Sequence, residues 1–103
     1  MKNKKTTYIH LVLEIADNDV RVLKEKDAEY GGSWLKRGGV GAYMMACRKF
    51  DRLEEQVKKR GWDVFAAAEA DDRAEGILDD IGDLRRYLLL IEAEIKARKR
   101  SAK

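Results

Sequence analysis

Six aliphatic residues, Ile77, Ile81, Leu84, Leu88, Ile91 and Ile95, recur at alternating spacings of four and three. That period belongs to one face of an α-helix, and the alternation is that of a coiled-coil seam. A strand cannot satisfy it, because strand side chains change face at every residue. Leu78, Tyr87, Leu89 and Leu90 widen the apolar surface beyond one stripe, as a helix covered on several sides requires. The start of this helix is predicted near Asp71 or Asp72, where Asp72 and Glu75 have the spacing of a capping box.

Two further helices follow from the same period. Ile9, Val12, Leu13, Ala16, Val20 and Leu23 stay in phase from Thr7 to Glu29, so one long helix is expected even across the capping residues Asp17, Asn18 and Asp19. The segment Tyr30 to Gly41, YGGSWLKRGGVG, ends it with glycines that tolerate positive φ and leaves two aromatics in a basic loop. A second helix is predicted from about Val40 to Arg60, with Tyr43, Cys47, Phe50, Leu53 and Val57 facing the core and Gly61 as its stop. A connector with a short helical piece, Trp62 to Ala70, comes next. Proline is absent and most of the eight glycines sit in one cluster, so little else interrupts helix.

The expected fold is therefore all-α, an antiparallel bundle of three to four helices in one domain spanning 1–103. A monomer of this size buries only about two-thirds of its unfolded surface, so broad apolar helix faces imply completion by a homo-oligomer.

The net charge of +3 is unevenly spread. Three lysines fall in residues 1–5 and five basic residues in 96–103, leaving 14 basic against 19 acidic residues, a net of −5, in the body. Nucleic-acid contact through the basic tails is conceivable on charge grounds but is not the favoured reading, since an acidic body repels polyphosphate without an intervening cation. One cysteine, Cys47, allows no intramolecular disulfide or cysteine-based zinc cluster and fits a reducing, cytoplasmic setting. No apolar run approaches the roughly 18 residues of a membrane span, and Glu14 and Asp17 interrupt any leader-like core, so no membrane partner is expected.

Chemistry concentrates in two acidic clusters. Asp51, Glu54 and Glu55 share one helix face at i, i+3 and i+4, while Glu75, Asp79 and Asp83 recur every four residues with Asp80 beside them. Like charges so placed destabilise a helix, and a hard divalent cation offsets that cost through oxygen ligands while bridging substrate phosphates. Magnesium is the expected ion, with manganese as an alternative. The competing reading is solvated charge compensated by Arg48, Lys49, Arg52, Arg85 and Arg86 in ion pairs. Other chemistries lack support: His10 stands alone, Cys47 lies on a packing stripe, and Ser33 and the glycine cluster fit neither a nucleophile elbow nor a phosphate loop.

Three runs, KDAEYGGSW from Lys26, KFDRLEE from Lys49 and EGILDDIGDLRRY from Glu75, together resemble the nucleotide modification associated domains, often phage-encoded. These are similar to the all-α nucleoside triphosphate pyrophosphatases of the MazG-like and dimeric dUTPase-like superfamily. The resemblance covers roughly residues 20–91. It implies that an ExxE-like element, Asp51 with Glu54 or Glu55, and an ExxD-like element, Asp80 with Asp83, hold magnesium. The first acid of each pair is aspartate where the superfamily has glutamate. In the phage subgroup Asp79, Asp83 and Tyr87 match a D-xxx-D-xxx-Y pattern, so Asp79 competes with Asp80. The implied activity is hydrolysis of a (d)NTP to its monophosphate and pyrophosphate, in nucleotide-pool control in a host cytoplasm. Glu54 and Asp83 would carry catalysis. Lys26, Arg48, Lys49 or Arg52 would neutralise the outer phosphates, Tyr30 and Trp34 would stack on the base or roof the pocket, and Tyr87 would join the substrate site. The related enzymes are dimers or tetramers.

Two other functions remain open on the sequence: a non-catalytic nucleotide binder, and a helical interaction protein whose tails touch nucleic acid.

Overall fold

The computed structural model describes the backbone of residues 4–102, and the side chains of those residues except 4–6 and Tyr30. Among the described residues there are four α-helices, α1 (Lys4–Tyr30), α2 (Gly38–Lys58), α3 (Val64–Ala70) and α4 (Ile77–Ser101), with a 3₁₀ turn at Ser33–Leu35 and no strand. The chain divides into two compact units, residues 1–33 and 34–103.

The first unit is built on α1, which runs unbroken through Asp17, Asn18 and Asp19 as its in-phase apolar stripe requires. Its ending is glycine-driven: Gly31 and Gly32 have φ of +53° and +76°, and the Gly31 N–H donates to the Asp27 carbonyl at 2.8 Å. Asp19 is buried, whereas Ile9, Val12, Leu13 and Val20, expected in the core, are more than half exposed.

In the second unit α2, α3 and α4 pack on one another, α2 against α4 above all. Arg52 pairs with Asp80 and, three residues back along α2, Lys49 pairs with Asp83, so α2 and α4 run antiparallel. The fully buried apolar residues are small or few: Ala42 and Ala46 on α2, Ala67 on α3 and Ile77 on α4. Leu53, Gln56 and Val57 are half-buried beside them. This corrects the expected core face of α2, because Tyr43 and Phe50 are 65% and 50% exposed. The physical reason is rotation: the pairs made by Lys49 and Arg52 hold the Ala42–Ala46 side toward α4, and Tyr43 and Phe50 turn away. On α4 Leu88 and Ile95 likewise leave the expected stripe for solvent.

Between α2 and α3 the chain turns through Gly61 and Trp62, both at positive φ, and the Trp62 N–H returns to the Val57 carbonyl at 2.9 Å. Asp63 then caps α3, its Oδ1 accepting from the N–H groups of Phe65 at 3.0 Å and Ala66 at 3.1 Å. The start of α4 differs from the expected Asp72–Glu75 box. Residues 71–76 are non-helical, Asp71 Oδ2 accepts from the Ile77 N–H at 2.6 Å, and Asp79 Oδ2 accepts from the Gly76 N–H at 2.9 Å. Asp71 wins this role because its carboxylate folds back as an Asx turn, accepting from the Arg73 N–H at 3.2 Å. The basic segment from Lys96 to Ser101, expected as a tail, continues α4. Among the described residues no helix is long and apolar enough to cross a membrane.

Candidate functional site

Two acids of α4, Asp80 and Asp83, are each held by two cations. Asp80, in the first turn of α4, is 1% exposed. Arg52 Nε donates to its Oδ1 at 2.7 Å and Arg73 Nη2 donates to its Oδ2 at 3.2 Å. Arg73 also grips Asp71 with two parallel bonds, Nε to Oδ1 at 2.9 Å and Nη2 to Oδ2 at 3.0 Å, the fork geometry that favours arginine over lysine. The hydrogen bond from Arg73, aided by the N–H groups of Arg73 and Ile77, holds the Asp71 carboxyl well below the usual carboxylate range. In turn the bond to Asp71 raises the Arg73 guanidinium further above its ordinary value, and the bond to Asp80 does the same for Arg52. Asp83, one turn on, receives Lys49 Nζ at 3.1 Å and Arg86 Nη2 at 3.0 Å.

These contacts bear on the ligand set expected for magnesium. Both oxygens of Asp80 and both of Asp83 accept from cations, and Asp79 is engaged at the start of α4. Asp51, Glu54 and Glu55 are exposed on α2 and make no ion pair among the described residues. Among the described residues no three His, Cys, Asp or Glu side chains gather closely enough to hold a metal ion. In this arrangement the α4 carboxylates do not fit a magnesium ion, which would have to displace Arg52, Arg73, Lys49 and Arg86. The compensated-charge alternative describes Lys49, Arg52 and Arg86, although the pairs made by Lys49 and Arg52 cross between helices.

A different grouping does form. Met45, Arg48, Lys49, Asp51, Arg52 and Tyr87 line one open groove of about 520 Å³ where α2 meets α4. Three cations and one carboxylate line it, and two of the cations, Lys49 and Arg52, are paired with Asp83 and Asp80. Arg48 is exposed and has no ion pair among the described residues, so its five N–H donors are available to an anion. Four residues expected at the substrate, Arg48, Lys49, Arg52 and Tyr87, thus meet in one place with Asp51, one of the expected metal ligands. Glu54 and Glu55 do not line the groove. Lys26 is exposed on α1 in the first unit, Trp34 is half-buried in the 3₁₀ turn, and the side chain of Tyr30 lies outside the described residues.

Sequence reasoning missed Arg73, Asp71 and Met45. For the first two a signal existed: an aspartate two residues before an arginine, ahead of a helix, is Asx-turn spacing. Met45 carried none, since a methionine on an apolar helix reads as packing. The second unit defines an antiparallel helical pair with a groove lined by Arg48, Lys49 and Arg52. In comparisons with known proteins, no family model, curated protein or solved structure matches the chain.

Proposed function

We propose that this chain binds a nucleotide, with the phosphate groups in the α2–α4 groove. The observation that carries the reading is the meeting of Arg48, Lys49, Arg52 and Tyr87 along one groove wall, with Arg48 uncompensated. A guanidinium beside an ammonium suits phosphate: the planar fork accepts two oxygens and the lysine supplies a compact point charge. Tyr87 adds an aromatic body with a hydroxyl that can donate to a phosphate or meet a base. Asp80 and Asp83 are the counter-charges of Arg52 and Lys49, with which an entering phosphate competes.

One observation favours a second reading, magnesium-dependent hydrolysis of a nucleoside triphosphate to monophosphate and pyrophosphate. Asp51 shares the groove with the three cations, and an uncompensated carboxylate beside a phosphate site is where a bridging divalent ion would be held.

Titration calorimetry with a panel of dNTPs and NTPs, in magnesium and in EDTA, tests the first reading. The expected result is saturable binding that weakens at least tenfold in Arg48→Ala and falls with added salt. Absence of binding to every nucleotide, or full binding by Arg48→Ala, overturns it. Release of pyrophosphate with magnesium, lost in Asp51→Asn, would establish the second reading; tight binding without release would sink it.

A further inference from the structure

The second unit has a charged end that the proposed groove does not use. The pairs Lys49–Asp83 and Arg52–Asp80 fix the antiparallel register of α2 and α4. Equal steps outward along both helices from Lys49 and Asp83 set Gly38, the first residue of α2, level with Glu94. Residues 95–101 of α4 therefore run on past the start of α2 by about 10 Å, and all of them are exposed. Lys96, Arg98, Lys99 and Arg100 fall in that stretch, while Lys36 and Arg37, also exposed, immediately precede α2. Packing thus gathers cations from two distant segments at one end of the unit.

The acids nearest this end are engaged. Glu92 pairs with Lys96 at 3.2 Å and Glu94 with Arg98 at 2.7 Å, and neither 34–50 nor 95–102 contains an acid. The acids of α2 and the remaining acids of α4 lie at or beyond the two fixing pairs in the opposite direction. Lys36, Arg37, Lys99 and Arg100 make no ion pair among the described residues. The repulsion expected between an acidic body and a polyanion is therefore weakest here.

Helix electrostatics accounts for only half of the cluster. Cations in the last turn of α4 are stabilised by the negative end of its dipole. Lys36 and Arg37 stand at the positive end of α2, whose first turn holds no acid, so the dipole works against them. An external anion offsets that cost. The chemistry of the surface selects which anion. The helical period spreads Lys96, Arg98, Lys99 and Arg100 around α4, and 96–102 contains no large apolar residue. A helix lying on a membrane needs an apolar face to bury, which this stretch lacks. The phosphodiester backbone of a nucleic acid needs only clustered cations that displace its counterions.

We infer that this end of the second unit, with Lys36 and Arg37 beside Lys99 and Arg100, binds the phosphate backbone of a nucleic acid without regard to base sequence.

Fluorescence anisotropy of the full chain with labelled single strands of about 20 nucleotides, in two unrelated sequences that should bind alike, tests this over a range of salt. The four unpaired cations predict a slope of log Kd against log salt of about 3, at about 0.7 for each phosphate neutralised. Lys36→Gln with Arg37→Gln, and separately Lys99→Gln with Arg100→Gln, should each weaken binding about tenfold and lower that slope by about 1.4, with helix content unchanged by circular dichroism. Lys58→Gln with Lys59→Gln removes the same charge at the other end of α2 and should change affinity less than about threefold. No binding at 10 μM chain in 100 mM salt overturns the inference. Unchanged binding after Lys36→Gln with Arg37→Gln also overturns it, since the end of α4 alone would then suffice. An equal loss in the Lys58→Gln with Lys59→Gln control, the mark of net charge alone, does the same. So does tighter capture by vesicles of one-third phosphatidylserine than by the strands at equal phosphate concentration. Arg48→Ala, which disables the groove, should leave strand binding within about twofold. An equal loss there would put the strand in the groove and overturn the inference. Mononucleotide calorimetry reads the groove separately, so either proposal can fail while the other stands.

Discussion

Replacing Asp80 by asparagine separates the two roles that an acid on this helix can have. The carboxylate is 1% exposed and accepts from two guanidinium groups, at 2.7 Å and 3.2 Å. Asparagine keeps the shape, so no cavity forms, but it removes the charge and turns an NH2 group toward one of the two arginines. Stranding the partner of a fully buried ion pair costs about 3–5 kcal/mol, whereas an exposed pair contributes at most about 1 kcal/mol. Here the acid is buried while the side chains of Arg52 and Arg73 are 45% and 30% exposed, so both cations regain water when the acid's charge is lost. The cost assigned to Asp80→Asn is therefore intermediate, about 2 kcal/mol. For a domain of about 100 residues that is a fall of roughly 8–16 °C in Tm. Urea titration followed by far-UV circular dichroism measures it. Glu94→Gln, which breaks the exposed pair with Arg98 on the same helix, is the control and should stay within about 0.5 kcal/mol of the parent. If Asp80 were instead held against its neighbours to await a cation, neutralising it would relieve repulsion and raise the unfolding midpoint. A rise, or no change, refutes the ion-pair account.

Two other perturbations have defined signs. The Asp71 carboxyl is held below its ordinary value of 3.8, so the folded chain keeps it ionised where the unfolded chain has already bound a proton. Its contribution is complete above about pH 5 and is lost as the pH falls below about 4 toward the folded value; Asp71→Asn should flatten that part of the urea-midpoint curve between pH 6 and 3. Asp63 accepts from two N–H groups at the start of α3, so Asp63→Ala should cost about 1 kcal/mol and speed amide exchange at Phe65 and Ala66, while Asp63→Asn should lose little.

What could be read from the residues was the helices and their order, and what could not was their rotation and their partners. Period alone carried α1 through three capping residues and identified α4 as a helix, because both are properties of one segment, whereas Leu88 and Ile95 of the expected α4 stripe are exposed. The face of α2 went astray because large residues dominate a periodicity reading, whereas the seam is made by Ala42 and Ala46, and its rotation is set by pairs to residues roughly thirty positions away. The same distance hid the fate of the acids. Asp80 and Asp83 look like surplus negative charge within their own helix, and only the antiparallel partner supplies Arg52 and Lys49. Those cations also line the groove, so a phosphate entering it competes with the two carboxylates for the same donors. On the proposed reading, stability and affinity are opposed at this site. Asp80→Asn, expected to weaken the fold, frees Arg52 and should tighten nucleotide binding, whereas a residue needed as a metal ligand would lose binding on the same change.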